Sequence, residues 1–429
     1  MTLIHPLMTK NRRNIGLGSA PSSEMATSTE DFDYFYDTIH GRVSFHELPE
    51  DFRGLLRVAL NSQFLNRLTR ISQLGYTSLT FFSATQTRFS HAVGTLIMMN
   101  RLMQHLWPGI DLPKQIQKAL HIFPQASFFG KNGPSSSIRC HLLLAALYQD
   151  VGELPFQKVA SHYIRPHARL VKDLCDHPSF RGMDVRDWTD KQQFTMAALV
   201  SDCDKIDLFR QLDLGFLAYL TTKCPFPKAS ETLKAIRQMV DGVIDADRLD
   251  YVFRDAHLTI GSLTNPEAIV RTITEFGPDG VVVNDPRPIT DFLTTRARLW
   301  SFVYAAPAVR FRQMLFKSFL RGSFAAKRAN TVLAAFGGTE GISLSKFERL
   351  DDHFMLAEIR RLLTSDKSSI ERWRDDLDDT ARIAAEVLTS TVTDYRCRIL
   401  PKPTEKSSPT ANNVARLTLP WEQSQIKSW

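Results

Sequence analysis

The stretch IRCHLLLAALYQDVGE, residues 138–153, decides the reading of the fold. Ile138 to Gln149 is almost uniformly apolar, the pattern of a helix buried on every side rather than one with a wet face. Its most apolar part, Leu142 to Tyr148, is far too short to cross a bilayer. At the end of this helix stands Asp150, and burying a carboxylate costs several kcal/mol unless it is paired or coordinates a cation. Asp150 therefore needs a partner. The alternative is that it caps the following turn by accepting from backbone N–H groups near Gly152. The segment alone leaves both open.

Outward from this helix the pattern stays helical. Upstream, HIFPQASFFGKNGPSSS (121–137) carries the clearest internal loop signal. A helix is predicted from about His91 to Leu106, and another from about Leu48 to Gly75 on the spacing of Leu55, Leu56, Val58, Ala59, Phe64, Leu65, Leu68 and Ile71. Between them Tyr76 to Phe82, rich in aromatic and β-branched residues, predicts a small hairpin. Downstream, helices are predicted near 192–221, 229–241, 247–257, 266–275 and 289–322, with a strand only at Gly280 to Asn284. There is no internal repeat. The fold class expected is all-α with minor β-hairpins. Along the chain it divides into a flexible N-terminal arm (1–44), a helical core (45–322), a helical C-terminal extension (323–400) and a loose tail (401–429).

Composition narrows the function classes. The 429 residues include 53 Lys plus Arg against 46 Asp plus Glu, and the net charge of +7 lies largely at the ends. Residues 398–429 hold five basic against two acidic side chains, so a globally basic nucleic-acid surface is not indicated. Single-stranded nucleic-acid binding rests only on that basic tail. The five cysteines, Cys140, Cys175, Cys203, Cys224 and Cys397, are odd in number and form no CxxC pair, which argues against a disulfide framework or a zinc ribbon. A cytoplasmic protein without a membrane segment is expected.

Residues able to act together at a metal or a phosphate fall in four places. These are Arg88 to His91, Gln149 to Glu153, Asp245 to Asp255 and, more weakly, the run Lys191 to Gln193. In the third block Asp247, Tyr251 and Asp255 follow one another at i, i+4, i+8 and share a helical face, with Arg248 and Arg254 beside it. The alternative is a solvated helix with ordinary ion pairs, such as Asp250 with Arg254. His91 by itself reads as a satisfied core histidine.

RFSHAVG (88–94), QDVGELPF (149–156) and DADRLDYVFRD (245–255) together resemble the signature blocks of the HD-superfamily deoxynucleoside triphosphate triphosphohydrolases, the dGTPase-like family, with a degenerate HD motif. The segment QLGYTSLTFFSATQTRF (73–89) resembles the family's lead into its first His, and 281–310 and RLDD (349–352) also resemble its bacterial branch. The likeness covers roughly residues 45–355. It implies an all-helical core that holds one divalent metal and removes the triphosphate of a dNTP as a unit. Carried across, His91, Asp150 and Asp247 match metal ligands, with Gln149 in place of the doublet's His. Arg88 and Arg248 match phosphate contacts, Tyr251 and Asp255 deoxyribose contacts, and Gln73 and Leu74 the segment near base and sugar. Relatives form dimers up to hexamers, so a homo-oligomer is expected, and the apolar stretch Trp300 to Phe319 would serve as interface or as core.

The departures concern imidazole. Gln86, Gln149, Glu153 and Lys158 stand where the family has His, and Gln192 and Gln193 where it has His-Glu if the run at 191–193 aligns there. A neutral amide oxygen makes the donor set harder and shifts preference to Mg²⁺ or Mn²⁺. It also cannot transfer protons, which leaves Glu153, beside Asp150, as candidate general acid/base. Two functions are open: a working triphosphohydrolase with an altered metal site, or a catalytically silent relative that binds nucleotide as a sensor or regulatory subunit.

Overall fold

The computed structural model describes residues 34–109, 112–123, 126, 133–222, 226, 229–261, 265–325 and 340–364. Among them run helices α1 (Glu50–Ala59), α2 (Gln63–Arg67), α3 (Arg88–Leu106), α4 (Lys114–Ala119), α5 (Pro134–Tyr148), α6 (Ala168–Asp176) and α7 (Asp190–Lys205). They continue as α8 (Leu214–Thr221), α9 (Glu231–Asp241), α10 (Ala246–Thr259), α11 (Pro266–Val270), α12 (Arg287–Arg298), α13 (Pro307–Ala325), α14 (Leu344–Phe347) and α15 (Asp352–Thr364). Two antiparallel hairpins complete them: β1 (Tyr34–Asp37) with β2 (Gly41–Ser44), and β3 (Ile273–Gly277) with β4 (Gly280–Val283). The class is all-α with minor hairpins. Among the described residues no helix is long and apolar enough to cross a membrane.

The deciding stretch is what it looked like. Helix α5 starts on Pro134, whose missing N–H suits a first helical turn, and every residue from Ser135 to Tyr148 is buried. It packs on α3, which packs in turn on α10, so the three signature blocks lie on neighbouring elements. Two glycines permit this closeness. A Cβ on Gly94 in α3 would lie 1.9 Å from Asp250 Oδ1 of α10, and one on Gly152 would lie 1.9 Å from the Lys191 carbonyl oxygen of α7.

Several expectations are corrected. Tyr76 to Phe82 is not a hairpin: Gly75–Leu79 is a 3₁₀ segment, and Tyr76 stacks on Phe156 with ring centroids 4.3 Å apart. Tyr76 fills the core instead of pairing strands, while Phe82 is exposed. The helix expected over 266–275 stops at Val270, because Ile273 onward is the partner strand that Gly280–Val283 requires. The segment 192–221 is two helices, since Asp213 caps a new start by accepting from the Phe216 N–H. Over 289–322 a π-helical turn (Leu299–Tyr304) and Pro307 divide α12 from α13. In the stretch Trp300 to Phe319, Val303, Phe316 and Phe319 are buried while Trp300, Phe302 and Phe311 are exposed.

At the ends, residues 34–44 are a hairpin docked on the core rather than part of a flexible arm; residues 1–33 lie outside the described set. The described part of the C-terminal extension, 340–364, also joins the core. Phe347 stacks on Phe194 at 4.2 Å, and the buried Arg67 donates to the Leu350 carbonyl while its guanidinium lies 4.0 Å from the Phe347 ring centroid. Residues 326–339 and 365–429, including the tail, lie outside the described set.

Candidate functional site

Three chain segments end at one point. Thr87 caps α3 by accepting from Ser90 N–H, which starts the helix so that His91 falls in its first turn, facing inward. Asp245 caps α10 by accepting from Arg248 N–H at 2.7 Å, which sets Asp247 in that helix's first turn. Asp150 follows the end of α5. One donor atom each of His91, Asp150 and Asp247 lie within 4.8 Å of one another, the spacing of ligands about a single ion.

His91 is held from both sides. Its Nε2 is 2.9 Å from Asp247 Oδ1 and 3.6 Å from Asp150 Oδ2, while Nδ1 is 2.8 Å from Asp250 Oδ2. Burial opposes a charged ring here, yet the bonds to Asp247 and Asp250 outweigh it and raise the imidazole pKa to about 10. With a metal on Nε2, the contact to Asp250 fixes which nitrogen carries the proton. Asp250 is fully buried and also takes His40 Nε2 at 2.7 Å and both Nε and Nη2 of Arg254. Burial alone would raise its pKa, but Arg254 and the bonded histidines hold it well below the usual carboxylate range. Arg254 reaches on to Asp37 at 2.9 Å, so the first hairpin braces the site from behind.

The choice left open at Asp150 is settled for pairing. Its carboxylate does not cap the turn, since Gly152 N–H donates to Thr195 Oγ1 instead. It is paired twice, with Arg88 Nη1 at 2.5 Å on one oxygen and Lys191 Nζ at 2.5 Å on the other. Against the effect of burial, Lys191 and Arg88 keep it ionised far below the ordinary range. Lys191 Nζ also lies 3.3 Å from Glu153 Oε2. Gln149 donates from Nε2 to Asp247 Oδ1 at 3.0 Å. A cleft of about 790 Å³ opens beside these groups, lined in part by Gln149, Asp150, Glu153, Lys191, Asp247 and Arg248. Arg248 is ion-paired with Asp245 at its rim.

The remaining expected residues form a second group. Asp255 is buried and accepts from Tyr304 Oη at 2.6 Å and Gln86 Nε2 at 3.0 Å; burial raises its pKa to about 6, with those two bonds opposing. Tyr251 is half-buried with its ring edge-on to His91, the centroids 6.3 Å apart. Gln73 and Leu74 are buried on the strand-like segment bridged to Thr87, where Gln73 N–H donates to the Gln86 carbonyl. None of these four lines the cleft.

The weaker run at 191–193 enters the site through Lys191. Gln192 closes the capping box with Thr189 on the cleft wall, and Gln193 donates to the Val185 carbonyl, so neither meets the candidate ligands. Sequence reasoning missed Asp250, His40 and Asp37. The Asp250–Arg254 pair anticipated for a solvated helix exists, but it is buried against His91. The signal lay in Gly94, an otherwise unfavourable glycine inside a helix.

The three ligand candidates fit a divalent cation by chemistry as well as spacing: one imidazole and two carboxylates make a hard, anionic set suited to Mg²⁺ or Mn²⁺. Against that stands Lys191, already seated on one of the carboxylates.

No protein-family model matches the chain. It is 25% identical over 293 residues to the uncharacterized protein YwfO of Bacillus subtilis, covering 67% of this chain and 54% of that protein. It is 26% identical over 235 residues to a putative HD domain-containing protein of Acanthamoeba polyphaga mimivirus, covering 52% of this chain and 45% of that one. Over 142 residues, 33% of the chain and 19% of the relative, it is 32% identical to the deoxynucleoside triphosphate triphosphohydrolase SAMHD1 of Danio rerio. The chain thus spans about half the length, or less, of these curated relatives. The crystal structure of a phosphohydrolase from Bacteroides thetaiotaomicron superposes with a TM-score of 0.57 at 19% identity, covering 85% of this chain and 77% of that one, a likeness of fold. These likenesses support the HD superfamily, broader than the dGTPase-like branch that the sequence blocks resemble.

Proposed function

We propose that the chain is an HD-type phosphohydrolase acting on a (deoxy)nucleoside triphosphate, releasing nucleoside and triphosphate. The observation that carries this reading is the convergence of His91, Asp150 and Asp247 within 4.8 Å beside a cleft rimmed by Lys191 and Arg248. A divalent ion there, with Gln149 as neighbour, would polarise the phosphate that is attacked. Asp250 holds the His91 ring in place, and Asp150 stays ionised throughout the neutral range. Arg88 and Arg248 offer guanidinium groups whose geometry matches phosphate oxygens. Glu153, on the cleft wall, is the candidate acid/base for the nucleoside oxygen or the attacking water. Asp255 and Tyr251 are the proposed sugar contacts, with Gln73 and Leu74 toward the base, and all four stand outside the cleft lining, Tyr251 with its ring beside His91.

A second reading, a silent nucleotide-binding relative, is favoured by one observation: both oxygens of Asp150 already carry cationic side chains, Arg88 and Lys191. One assay separates the two. Protein with Mn²⁺ or Mg²⁺ and a panel of dNTPs is followed for deoxynucleoside and intact triphosphate. Turnover that Asp150→Ala abolishes establishes the enzyme, whereas nucleotide binding in calorimetry without turnover under any metal leaves the silent reading.

A further inference from the structure

The cleft's charge balance has a feature that the proposed activity does not use. With His91 in the neutral form that a metal ligand takes, Asp150, Asp247 and Glu153 carry three negative charges, two of which one divalent ion would cancel. Arg88 and Lys191 already bring two positive charges to the same place, and Lys191 is shared between Asp150 and Glu153. Lys191 arrives there for a local reason: Gly152 leaves room for the first turn of α7, and the Gly152 N–H bond to Thr195 pins that turn against the QDVGE segment. The two cations differ in freedom. Arg88 is largely buried on its helix, whereas the Lys191 side chain is 39% exposed, at the cleft wall.

Resting on the metal-site reading above, we infer that Lys191 is a tethered competitor of the divalent ion for Asp150, and that the metal seats when the ammonium swings off the carboxylate. Lys191 Nζ lies 2.5 Å from Asp150 Oδ1, and in a low-dielectric cleft it would strongly repel a divalent ion held by the same carboxylate. The displaced ammonium, lying on the cleft wall, then faces whatever anion enters. With metal, Arg88 and Lys191 all present, the site carries surplus positive charge that a polyphosphate would neutralise, so metal and polyanion bind with positive coupling.

The test uses the metal alone. Mn²⁺ is titrated into the full chain and free ion is read by electron paramagnetic resonance, for the parent, Lys191→Gln, Lys191→Arg and Asp150→Asn. Lys191→Gln is expected to bind Mn²⁺ about tenfold or more tighter than the parent. Lys191→Arg, which keeps the charge, is expected to bind no tighter, and Asp150→Asn to lose binding. Equal affinity in the parent and Lys191→Gln, with binding still lost in Asp150→Asn, overturns the competition and leaves the metal site standing. A gain in Lys191→Arg equal to that in Lys191→Gln overturns it too, since packing and not charge would then be at work. No binding in any variant overturns both the competition and the metal-dependent function.

Discussion

At the scale of single residues, the site depends on what lies behind its candidate ligands. Asp250 is buried and bonded to His91, His40 and Arg254, and Arg254 is bonded again to Asp37. Removing one member of a buried charged network leaves the others uncompensated, typically at a cost of about 3 to 5 kcal/mol. Asp250→Ala is therefore expected to lower stability in urea denaturation by that order and to free the His91 ring; a loss under about 1 kcal/mol would show the network to be slack. Gln149→His acts on the ligand side instead. It replaces an amide that donates to Asp247 with a nitrogen donor beside the proposed metal position, so Mn²⁺ affinity should rise. An unchanged affinity would mean that the residue cannot turn toward the metal. His91, Asp150 and Asp247 were legible in the sequence because each sits in a short block with its neighbours. Asp250 was not, since an Asp four residues before an Arg is also the commonest pattern of a wet helix.

At the scale of elements, glycines fix how closely the helices approach. Gly94→Ala would ordinarily steady a helix by about 1 kcal/mol, but the added Cβ would lie 1.9 Å from Asp250 Oδ1 and 2.4 Å from Arg254 Nη2. Overpacking of this kind costs about 1 to 3 kcal/mol or more, and it would push α10 off α3 and separate Asp247 from His91. Gly54 in α1 is the internal control, because a Cβ there meets only Leu208 Cδ2, at 3.7 Å. Gly54→Ala is expected to leave stability unchanged or raised, and Gly94→Ala to lower it; equal melting temperatures in the two variants would refute the close-approach account. The long apolar helices could be read from sequence because burial on all sides leaves one unbroken pattern. The short pieces could not: Tyr76 and Thr77 have strand-like chemistry, yet they are buried in a 3₁₀ turn where tertiary packing outweighs propensity.

At the scale of the whole molecule, segments remote in sequence close over one core, and buried carboxylates are the result. Asp255 faces Tyr304 across the second group of site residues, and Asp352 accepts from the backbone N–H of Ser72 and of Phe156, joining the C-terminal segment to the core. Neither long-range partnership has a sequence signal, although RLDD (349–352) marked the position of Asp352. Burial raises both pKa values to about 6, with the hydrogen bonds opposing it in each case. A carboxyl group whose pKa is higher folded than unfolded binds its proton more tightly in the fold. Its contribution is complete below the unfolded value near 4 and is lost as pH rises through about 6. Two units correspond to about 3 kcal/mol for each group at most. Asp150 and Asp250 act oppositely, but their depressed values confine the effect to pH below about 4. Unfolding free energies of the parent and of Asp255→Asn/Asp352→Asn, measured in urea at pH 4.5 and pH 7, should therefore differ in slope. The parent should lose up to several kcal/mol more than the variant on going to pH 7. The Asn at 255 is accommodated because its amide can donate to Gln86 Oε1, a buried oxygen that otherwise lacks a hydrogen-bond partner. Parallel pH dependences in the two proteins would show that these carboxyl groups titrate normally, and that the core does not close over them as described.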